Sequence, residues 1–387
     1  MGSNCMASAS IGCLYCCQRC NAEKLRNAFT FLPPQASYAV EGFDASGFGK
    51  MVYLSETIKS YTFYQQAADL ASVRMLRTSK DERIPVVWLR PNSSSSGTSP
   101  EQPGQQPLVL LHCHGNATDI GMMMGPYLEL ATQLACEVVG VEYTGYGSGT
   151  GAPSSANALA DVEAAYDFVI SQGVPSERIV AYGQSVGSGP VLALAASRPL
   201  GGVIVHSPML SGIKVIDPQP DKCCRPSCVY RCFDFFHNDR HMKNVGCPAF
   251  VMHGQMDEII PFYHGERLAK AAPAQHRWPG YFPRQAGHND IVEQDVQAYM
   301  REVRAFMQNV LERADADGTR RGVGASSLPA KPPLQVQMTE MSRKDGVLPY
   351  AEPKVGPEDG RYEALRHGRG GARELRSAPR GRSGGEE

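Results

Sequence analysis

Short apolar runs alternate with longer segments in which apolar residues recur every three or four positions, from residue 108 to residue 313. The runs predict strands that are covered on both faces, and they comprise residues 108–113, 138–143, 178–182, 202–206, 248–253 and 280–282. The periodic segments predict helices over residues 122–134, 156–171, 190–196, 263–272 and 290–313. This alternation predicts an α/β fold in which a mostly parallel central sheet carries helices on both faces.

Composition divides the chain further. The predicted parts are a Cys-rich head (1–25), the domain of alternating elements (26–313) and a tail without periodicity that we expect to be disordered (314–387). Residues 47–89 predict a first strand region. Residues 91–106 consist largely of Ser, Gly, Pro and Gln and predict a flexible loop, because such residues bury little apolar surface. Residues 213–245, which contain four more cysteines, predict a lid-like insertion.

The 387 residues carry a formal net charge of −1, so charge gives no reason to expect a nucleic-acid partner. The sequence contains no run of eighteen apolar residues, and we expect no transmembrane helix. The first residues lack the apolar core of a secretory signal. We therefore expect the twelve cysteines to be mostly reduced thiols in the cytosol.

One turn between a predicted strand and a predicted helix reads Gly183-Gln184-Ser185-Val186-Gly187. Glycines on both sides of a serine permit a sharp turn that lifts the hydroxyl clear of the sheet, near the positive end of the next helix. The pattern is short and the chain contains 39 glycines, so the position of the turn after a strand is what makes it informative. This context makes Ser185 a candidate nucleophile for acyl transfer.

A serine hydroxyl needs a base, which is usually a histidine held by a carboxylate. In enzymes with this turn the chain order is serine, acid, histidine, and the last two follow later strands. Asp257 follows one predicted strand and His288 follows the next, so we expect them to be acid and base. The alternatives are a helix cap or solvated carboxylate for Asp257 and a surface histidine for His288. Of the neighbouring acids, Glu258 is expected to point away and Asp290 to cap the last helix.

Acyl transfer also requires hydrogen-bond donors for the negative oxygen of the intermediate. We expect these to be the backbone N–H groups of Val186, beside the nucleophile, and of Asn116, in the loop after the strand 108–113. The alternative for this loop is an ordinary connection with a capping side chain. His112 and His114 have no carboxylate or cysteine partners in register, so we expect no metal and no cofactor.

Six motifs occur in order along the chain. They are His-Gly-Asn-Ala at 114–117, Tyr-Thr-Gly-Tyr-Gly-Ser at 143–148, the turn at 183–187, His-Ser-Pro-Met-Leu-Ser-Gly at 206–212, His-Gly-Gln-Met-Asp-Glu at 253–258 and Gly-His-Asn-Asp-Ile at 287–291. Over roughly residues 13–310 the chain resembles the α/β-hydrolase domain 17 proteins, which are depalmitoylating serine hydrolases. The segment Phe31-Leu-Pro-Pro34 behind a Cys-rich start resembles that family as well. The resemblance implies an α/β-hydrolase fold and a triad of Ser185, Asp257 and His288.

The resemblance also implies a reaction, the hydrolysis of palmitoyl thioesters on the cysteines of S-acylated proteins at the cytosolic face of a membrane. A lipase or carboxylesterase that acts on small lipid esters is the alternative, because the same triad cleaves oxygen esters. A catalytically idle scaffold is a third reading, which the intact triad disfavours. Three departures bear on substrate choice: the long loop 91–106, the extra cysteines within 217–232, and Glu142 where the family pattern predicts Asp.

Four cysteines of the head recur with helical spacing, at Cys13, Cys16, Cys17 and Cys20. On a helix they share one face, which predicts S-acylation and peripheral anchoring at the plasma or endosomal membrane, since two lipid signals suffice for stable attachment. Zinc binding by the four thiolates is the alternative, although ligands so close in sequence make a poor tetrahedral site. Gly2 is a further candidate for myristoylation, but Met6 replaces the Ser or Thr of that motif.

Overall fold

A computed structural model of the chain describes residues 22–90, 106–216 and 233–320. Within these ranges nine strands form one sheet. They are β1 (Tyr38–Glu41), β2 (Phe48–Tyr53), β3 (Ala71–Arg77), β4 (Arg83–Leu89), β5 (Val109–Cys113), β6 (Glu137–Val141), β7 (Ile179–Gln184), β8 (Gly202–His206) and β9 (Ala249–Met252). Across the sheet their order is β1-β2-β3-β4-β6-β5-β7-β8-β9, so the chain begins at one edge and ends at the other.

Ten α-helices in the same ranges connect and cover the strands. They are α1 (Ala22–Thr30), α2 (Glu56–Lys59), α3 (Thr62–Leu70), α4 (Ile120–Leu134), α5 (Ser155–Ser171), α6 (Ser188–Ser197), α7 (Asn238–His241), α8 (Tyr263–Ala271), α9 (Ile291–Gln294) and α10 (Val296–Arg320). Helices α5 and α6 pack on one face of the sheet, and α4 and α10 pack on the other.

Strands β5 to β9 all run parallel. Along β5, Leu111 and Cys113 face α5 and α6, whereas Leu110 faces α4 and α10. Because both faces of these strands are buried, their sequences are apolar at successive positions. The predicted α/β fold, with a mostly parallel central sheet and helices on both faces, is confirmed.

Strands β1 to β4 pair antiparallel, and β4 joins β6 in the antiparallel sense. The predicted first strand region therefore contains three strands together with α2 and α3. Between β3 and β4 the turn is tight: the N–H of Thr78 donates to the Glu82 carbonyl at 2.8 Å, and that of Asp81 donates to the Thr78 carbonyl at 3.0 Å. So short a connection joins only antiparallel strands.

Two predicted elements differ in the structure. The last predicted strand is absent, and Tyr281 of that segment makes only an isolated bridge with Met252. The last predicted helix is divided into α9 and α10 at Asp295, whose carboxylate accepts the Ala298 N–H at 2.9 Å and so caps α10. Helix α10 then continues to Arg320, past the end that the apolar periodicity predicted.

The predictions for the head up to residue 21, for most of the loop 91–106, for residues 217–232 and for the tail beyond residue 320 lie outside the described residues. Cys13, Cys16, Cys17 and Cys20 are therefore not placed. In the described ranges the cysteines at 113, 136 and 247 are buried free thiols. No helix of these ranges combines the length and the apolar character that crossing a bilayer requires.

Candidate active site

Ser185 follows β7 directly and begins the tight connection to α6. Its φ of +52° lies in the left-handed region, which residues with a side chain rarely adopt. A Cβ on Gly183 would collide with the Gly187 carbonyl, and a Cβ on Gly187 would collide with the Cys113 carbonyl. The turn therefore packs so closely against the end of β7 and the end of β5 that both positions require glycine.

The side chains of Ser185, His288 and Asp257 form one hydrogen-bonded row. Nε2 of His288 lies 2.9 Å from Oγ of Ser185, and Nδ1 lies 2.7 Å from Oδ2 of Asp257. An N–H at Nδ1 donates to the carboxylate, which leaves Nε2 to accept the serine proton. A row with this geometry can pass a proton from the hydroxyl to the imidazole while the carboxylate stabilises the charged ring.

Asp257 accepts hydrogen bonds at both of its oxygens. Oδ1 accepts the backbone N–H groups of Ile259 at 2.9 Å and Ile260 at 2.7 Å. Oδ2 accepts from His288 and also lies 3.1 Å from Nε2 of His253. Burial alone would raise the pKa of Asp257, but the hydrogen bonds from His253 and His288 lower this pKa below its ordinary value. The carboxyl group is therefore ionised where the row needs a negative charge.

Sequence reasoning did not identify His253, which follows β9 and is completely buried. Its Nε2 lies 2.8 Å from the Ile260 carbonyl as well as close to Asp257, so the proton at Nε2 serves both acceptors. The ring packs against Gly265 of α8, where a Cβ would collide with it. The available signal was the spacing of four residues between a histidine and an acid in a turn after a strand.

Two contacts fix the loop that carries His288. The Ser207 hydroxyl donates to the His288 carbonyl at 3.2 Å, and Oδ1 of Asp290 accepts the Gly287 N–H at 2.6 Å. Asp290 occupies the N-cap position of α9 but makes no side-chain capping bond there, so its carboxylate serves the histidine loop instead. Glu258, the other competing acid, has an exposed side chain.

The expected oxyanion donors, Val186 and Asn116, lie on two turns that meet at the carboxyl edge of the sheet. Strands β5 and β7 are neighbours, and the Cys113 carbonyl at the end of β5 lies against Gly187. The two backbones are therefore in contact beside Ser185, which is where acyl transfer requires its donors.

His114 is buried, and both of its ring nitrogens face oxygen atoms. Nδ1 lies 2.8 Å from the Gly115 carbonyl, and Nε2 lies 3.0 Å from Oε1 of Glu142. Glu142, where the family pattern predicted Asp, is also buried, and its Oε2 accepts from the Tyr38 hydroxyl at 2.9 Å and the Ile120 N–H at 3.1 Å. The structure thus ties His114 and Glu142 into the fold between β1, α4 and the loop after β5.

Two further buried histidines lie near the row. Burial is the main cause that lowers the pKa of His206 and of His264 to about 3, and nearby His253 lowers both further. Both rings are therefore neutral at physiological pH and add no positive charge beside Asp257.

The sheet order, the turn after β7 and the chain order of the row define the class of protein, an α/β hydrolase. The chain belongs to the α/β-hydrolase domain-containing protein 17 family. It is 33% identical over 291 residues to protein 17B of Homo sapiens, and this alignment covers 74% of this chain and 92% of that protein. It is also 32% identical over 310 residues to protein aho-3 of Caenorhabditis elegans, covering 79% and 84%. The family that the six motifs predicted is confirmed.

No family model matches the chain. Among solved structures, the chain is similar to esterase Pf2001 of Pyrococcus furiosus, with a TM-score of 0.48 and 13% identity over 72% of this chain and 100% of that one. It is also similar to an α/β hydrolase of Vibrio vulnificus, with a TM-score of 0.49 and 17% identity over 64% and 87%.

Proposed function

We propose that this protein is a serine hydrolase that cleaves palmitoyl thioesters from the cysteines of S-acylated proteins at the cytosolic face of a membrane. The observation that carries the proposal is the row of Ser185, His288 and Asp257, with a hydroxyl 2.9 Å from a histidine nitrogen. The palmitoyl substrate is what the resemblance of the six motifs to the domain 17 proteins implies. No cofactor is required, because a serine, a base and an acid supply acyl transfer on their own.

In the first step Oγ of Ser185 attacks the thioester carbonyl carbon, and Nε2 of His288 takes the hydroxyl proton. Asp257 stabilises the imidazolium through Nδ1–H and keeps the ring in the tautomer that can accept. The N–H groups of Val186 and Asn116 donate hydrogen bonds to the oxygen that becomes negative. Removing one such donor typically lowers kcat by about 100-fold or more.

In the second step the tetrahedral intermediate collapses and the C–S bond breaks. His288 returns its proton to the sulfur, so the substrate protein leaves with a free cysteine thiol and the palmitoyl group stays on Ser185. Water then attacks this ester with His288 as base, and the second collapse releases the fatty acid and restores the serine hydroxyl.

Two exposed apolar side chains lie close to Asp257 along the chain, and they favour the proposal that the substrate carries a fatty acyl chain. Met256 is 66% exposed and Ile259 is 50% exposed, on the turn that carries the acid of the row. Large apolar residues at the rim of a site offer contact area to a fatty chain, which gains about 0.8 kcal/mol for each methylene removed from water.

Cys13, Cys16, Cys17 and Cys20 are the proposed acylation sites, and the membrane surface is the proposed partner of the head. Attachment would place the site beside lipidated cysteines on the plasma or endosomal membrane. It would raise their effective concentration without any additional contact between enzyme and substrate.

The test uses full-length protein with a palmitoylated peptide on lipid vesicles, and compares wild type with Ser185→Ala. We expect fatty-acid release by wild type and loss of at least about 1000-fold in the variant. A parallel assay with a glycerolipid of equal chain length measures the preference for thioester over oxygen ester. Equal turnover by both proteins would refute the triad, and faster glycerolipid cleavage would favour a lipase or carboxylesterase.

A further inference from the structure

The side chain of Asn116 is bound on all sides, although the expected contribution of this residue to the reaction is its backbone N–H. Oδ1 accepts the Leu32 N–H at 2.9 Å, the Tyr146 hydroxyl at 2.7 Å and the Ala117 N–H at 3.0 Å. Nδ2 donates to the Thr30 carbonyl at 2.7 Å. The amide is therefore held in a clamp between its own loop, the loop after β6 and residues 30–32 at the end of α1.

The loop after β6 reinforces this clamp with two tyrosines. The Tyr146 hydroxyl also accepts the Leu32 N–H at 3.0 Å, so it links Leu32 to Asn116. The Tyr143 hydroxyl donates to the His114 carbonyl at 2.7 Å, and the two tyrosine rings meet edge to face at 5.5 Å. Both tyrosines are buried, so these bonds form in a low dielectric where each is strong.

The loop that the clamp holds is strained. Ala117 has a φ of +55°, a left-handed conformation that costs a residue with a side chain roughly 1 kcal/mol or more. Such a conformation persists only when surrounding contacts determine it. Here the Asn116 side chain accepts the N–H of Ala117 itself and is in turn fixed from outside the loop.

Residues 30–32 also pack toward α6, the helix that follows the Ser185 turn. Phe31 is 4% exposed, and its ring meets that of Phe236 edge to face at 6.3 Å. The Phe236 ring fills the space beside Gly189 of α6, the helix that starts after Ser185. Residues 30–32 therefore contact Asn116 in one turn that carries an expected oxyanion donor, and through Phe236 they pack against α6, which follows the other turn.

We infer that residues 30–32 are a positioning element of the active site, which sets the orientation of the Asn116 backbone N–H by binding the Asn116 side chain. The inference rests on the proposed function and extends it, because this element is not part of the triad or of the oxyanion turns. In the sequence, residues 30–32 comprise the last residue of α1 and the two residues that follow it, and α1 begins two residues after the proposed acylation site Cys20. The stretch of chain that leads to the membrane anchor would thus also complete the catalytic site.

The test measures kcat and KM of the full-length protein with a soluble acyl thioester. Asn116→Ala keeps the backbone N–H but removes all four side-chain hydrogen bonds. We expect kcat to fall by about 10- to 100-fold with KM changed by no more than about threefold. A misplaced donor reduces the stabilisation of the transition state more than it reduces the binding of the substrate. The rate at which a fluorophosphonate labels Ser185 should fall in parallel.

Tyr146→Phe is the second variant, because it removes one hydroxyl that links Leu32 to Asn116 and leaves both residues in place. We expect a smaller loss of kcat in the same direction. Tyr166→Phe is the matched control, since it removes a hydroxyl that donates to the Pro199 carbonyl at 2.9 Å and should leave kcat unchanged. If Asn116→Ala fails to fold, Tyr146→Phe decides.

Kinetic constants within about twofold of wild type in the folded variants would overturn the inference. Failure of the proposed function has a different signature. In that case wild type would hydrolyse no acyl thioester, or Ser185→Ala would match it, whereas the labelling rates of Ser185 in wild type, Asn116→Ala and Tyr146→Phe would still report on the positioning element.

Discussion

Three residues with side chains have left-handed backbone angles where parallel strands end. Ala117 follows β5 with φ +55°, Ser185 follows β7 with φ +52°, and Ser207 follows β8 with φ +47°. Each such residue costs of the order of 1 kcal/mol or more, so surrounding contacts must hold it. Ser207 holds the His288 carbonyl, and Ala117 lies in the loop of Asn116. Three of the six non-glycine residues with positive φ in the described ranges therefore lie at the candidate site.

Oδ2 of Asp257 lies within hydrogen-bond distance of two histidines, His288 and His253. The proposed reaction uses His288 as the base and gives His253 no role. Replacing His253 by Phe removes a donor from Oδ2, so burial raises the pKa of Asp257 with less opposition. Asp257 and His288 share a hydrogen bond, so a carboxylate that has lost a donor raises the proton affinity of the whole row. We therefore expect the acid limb of the pH–rate profile to move upward by roughly half a pH unit or more.

His253→Gln is the matched control, because its amide can still donate to Asp257, and its acid limb should remain near that of wild type. The groups that face Asp257 from other elements are His288, His206 and His264, and both variants leave them unchanged. A His253→Phe profile that loses height without moving along the pH axis would indicate only a packing role.

Sequence reasoning found Ser185, Asp257 and His288 because chain order and position after strands are local properties. It did not find His253, because a histidine that ends an apolar run also fits a core position. It placed Asn116 in the site but not its side-chain partners, since Thr30 and Leu32 lie 86 and 84 residues away along the chain.

Among the elements, the loop after β6 acts as a support for the loop after β5. Its own anchor is Asp161 of α5, whose carboxylate accepts the Thr144 N–H and hydroxyl, each at 2.8 Å. Burial raises the pKa of Asp161 to about 7, although the two bonds from Thr144 oppose the rise. The folded protein therefore binds a proton at Asp161 that the unfolded chain has already released near neutral pH.

This raised pKa predicts a pH dependence of stability. The contribution of Asp161 to the free energy of unfolding is complete below the unfolded pKa near 4 and is lost as pH rises through about 7. Between pH 5 and pH 8, we expect the free energy of unfolding of Asp161→Asn to decline by about 2–3 kcal/mol less than that of wild type. Denaturant unfolding at the two pH values measures it.

Glu163→Gln is the control for this comparison, because Glu163 is an exposed carboxylate on the same helix. Its unfolding should decline between the two pH values as wild type does. Parallel declines for Asp161→Asn and wild type would contradict a raised pKa at Asp161.

At the scale of the whole molecule, two apolar clusters on opposite faces of the sheet hold the active-site edge in place. Helix α10 closes the second cluster through Phe306, which is completely buried with its ring 5.5 Å from those of Phe250 and Trp278. Covering this face with the last helix fixes β8 and β9, whose carboxyl ends carry Ser207 and His253.

Phe306→Ala should lower the free energy of unfolding by about 3–5 kcal/mol, because it removes a buried ring and leaves a cavity. Activity per active site, titrated with a fluorophosphonate in the folded fraction, should stay near the wild-type value, since the change is in the core beneath the sheet. Arg301→Ala, on an exposed position of the same helix, is the control. A loss below about 1 kcal/mol would show that α10 contributes little to this core.

The sequence by itself determined the class of fold, the family and the order of the three residues in the row, because apolar periodicity and short motifs depend on neighbours along the chain. Only the tertiary structure decided which distant groups support them. His253 beside Asp257, the tyrosines of the loop after β6, and residues 30–32 against Asn116 are contacts between separate elements. Such contacts depend on how strands are ordered in the sheet, which no local pattern of residues specifies.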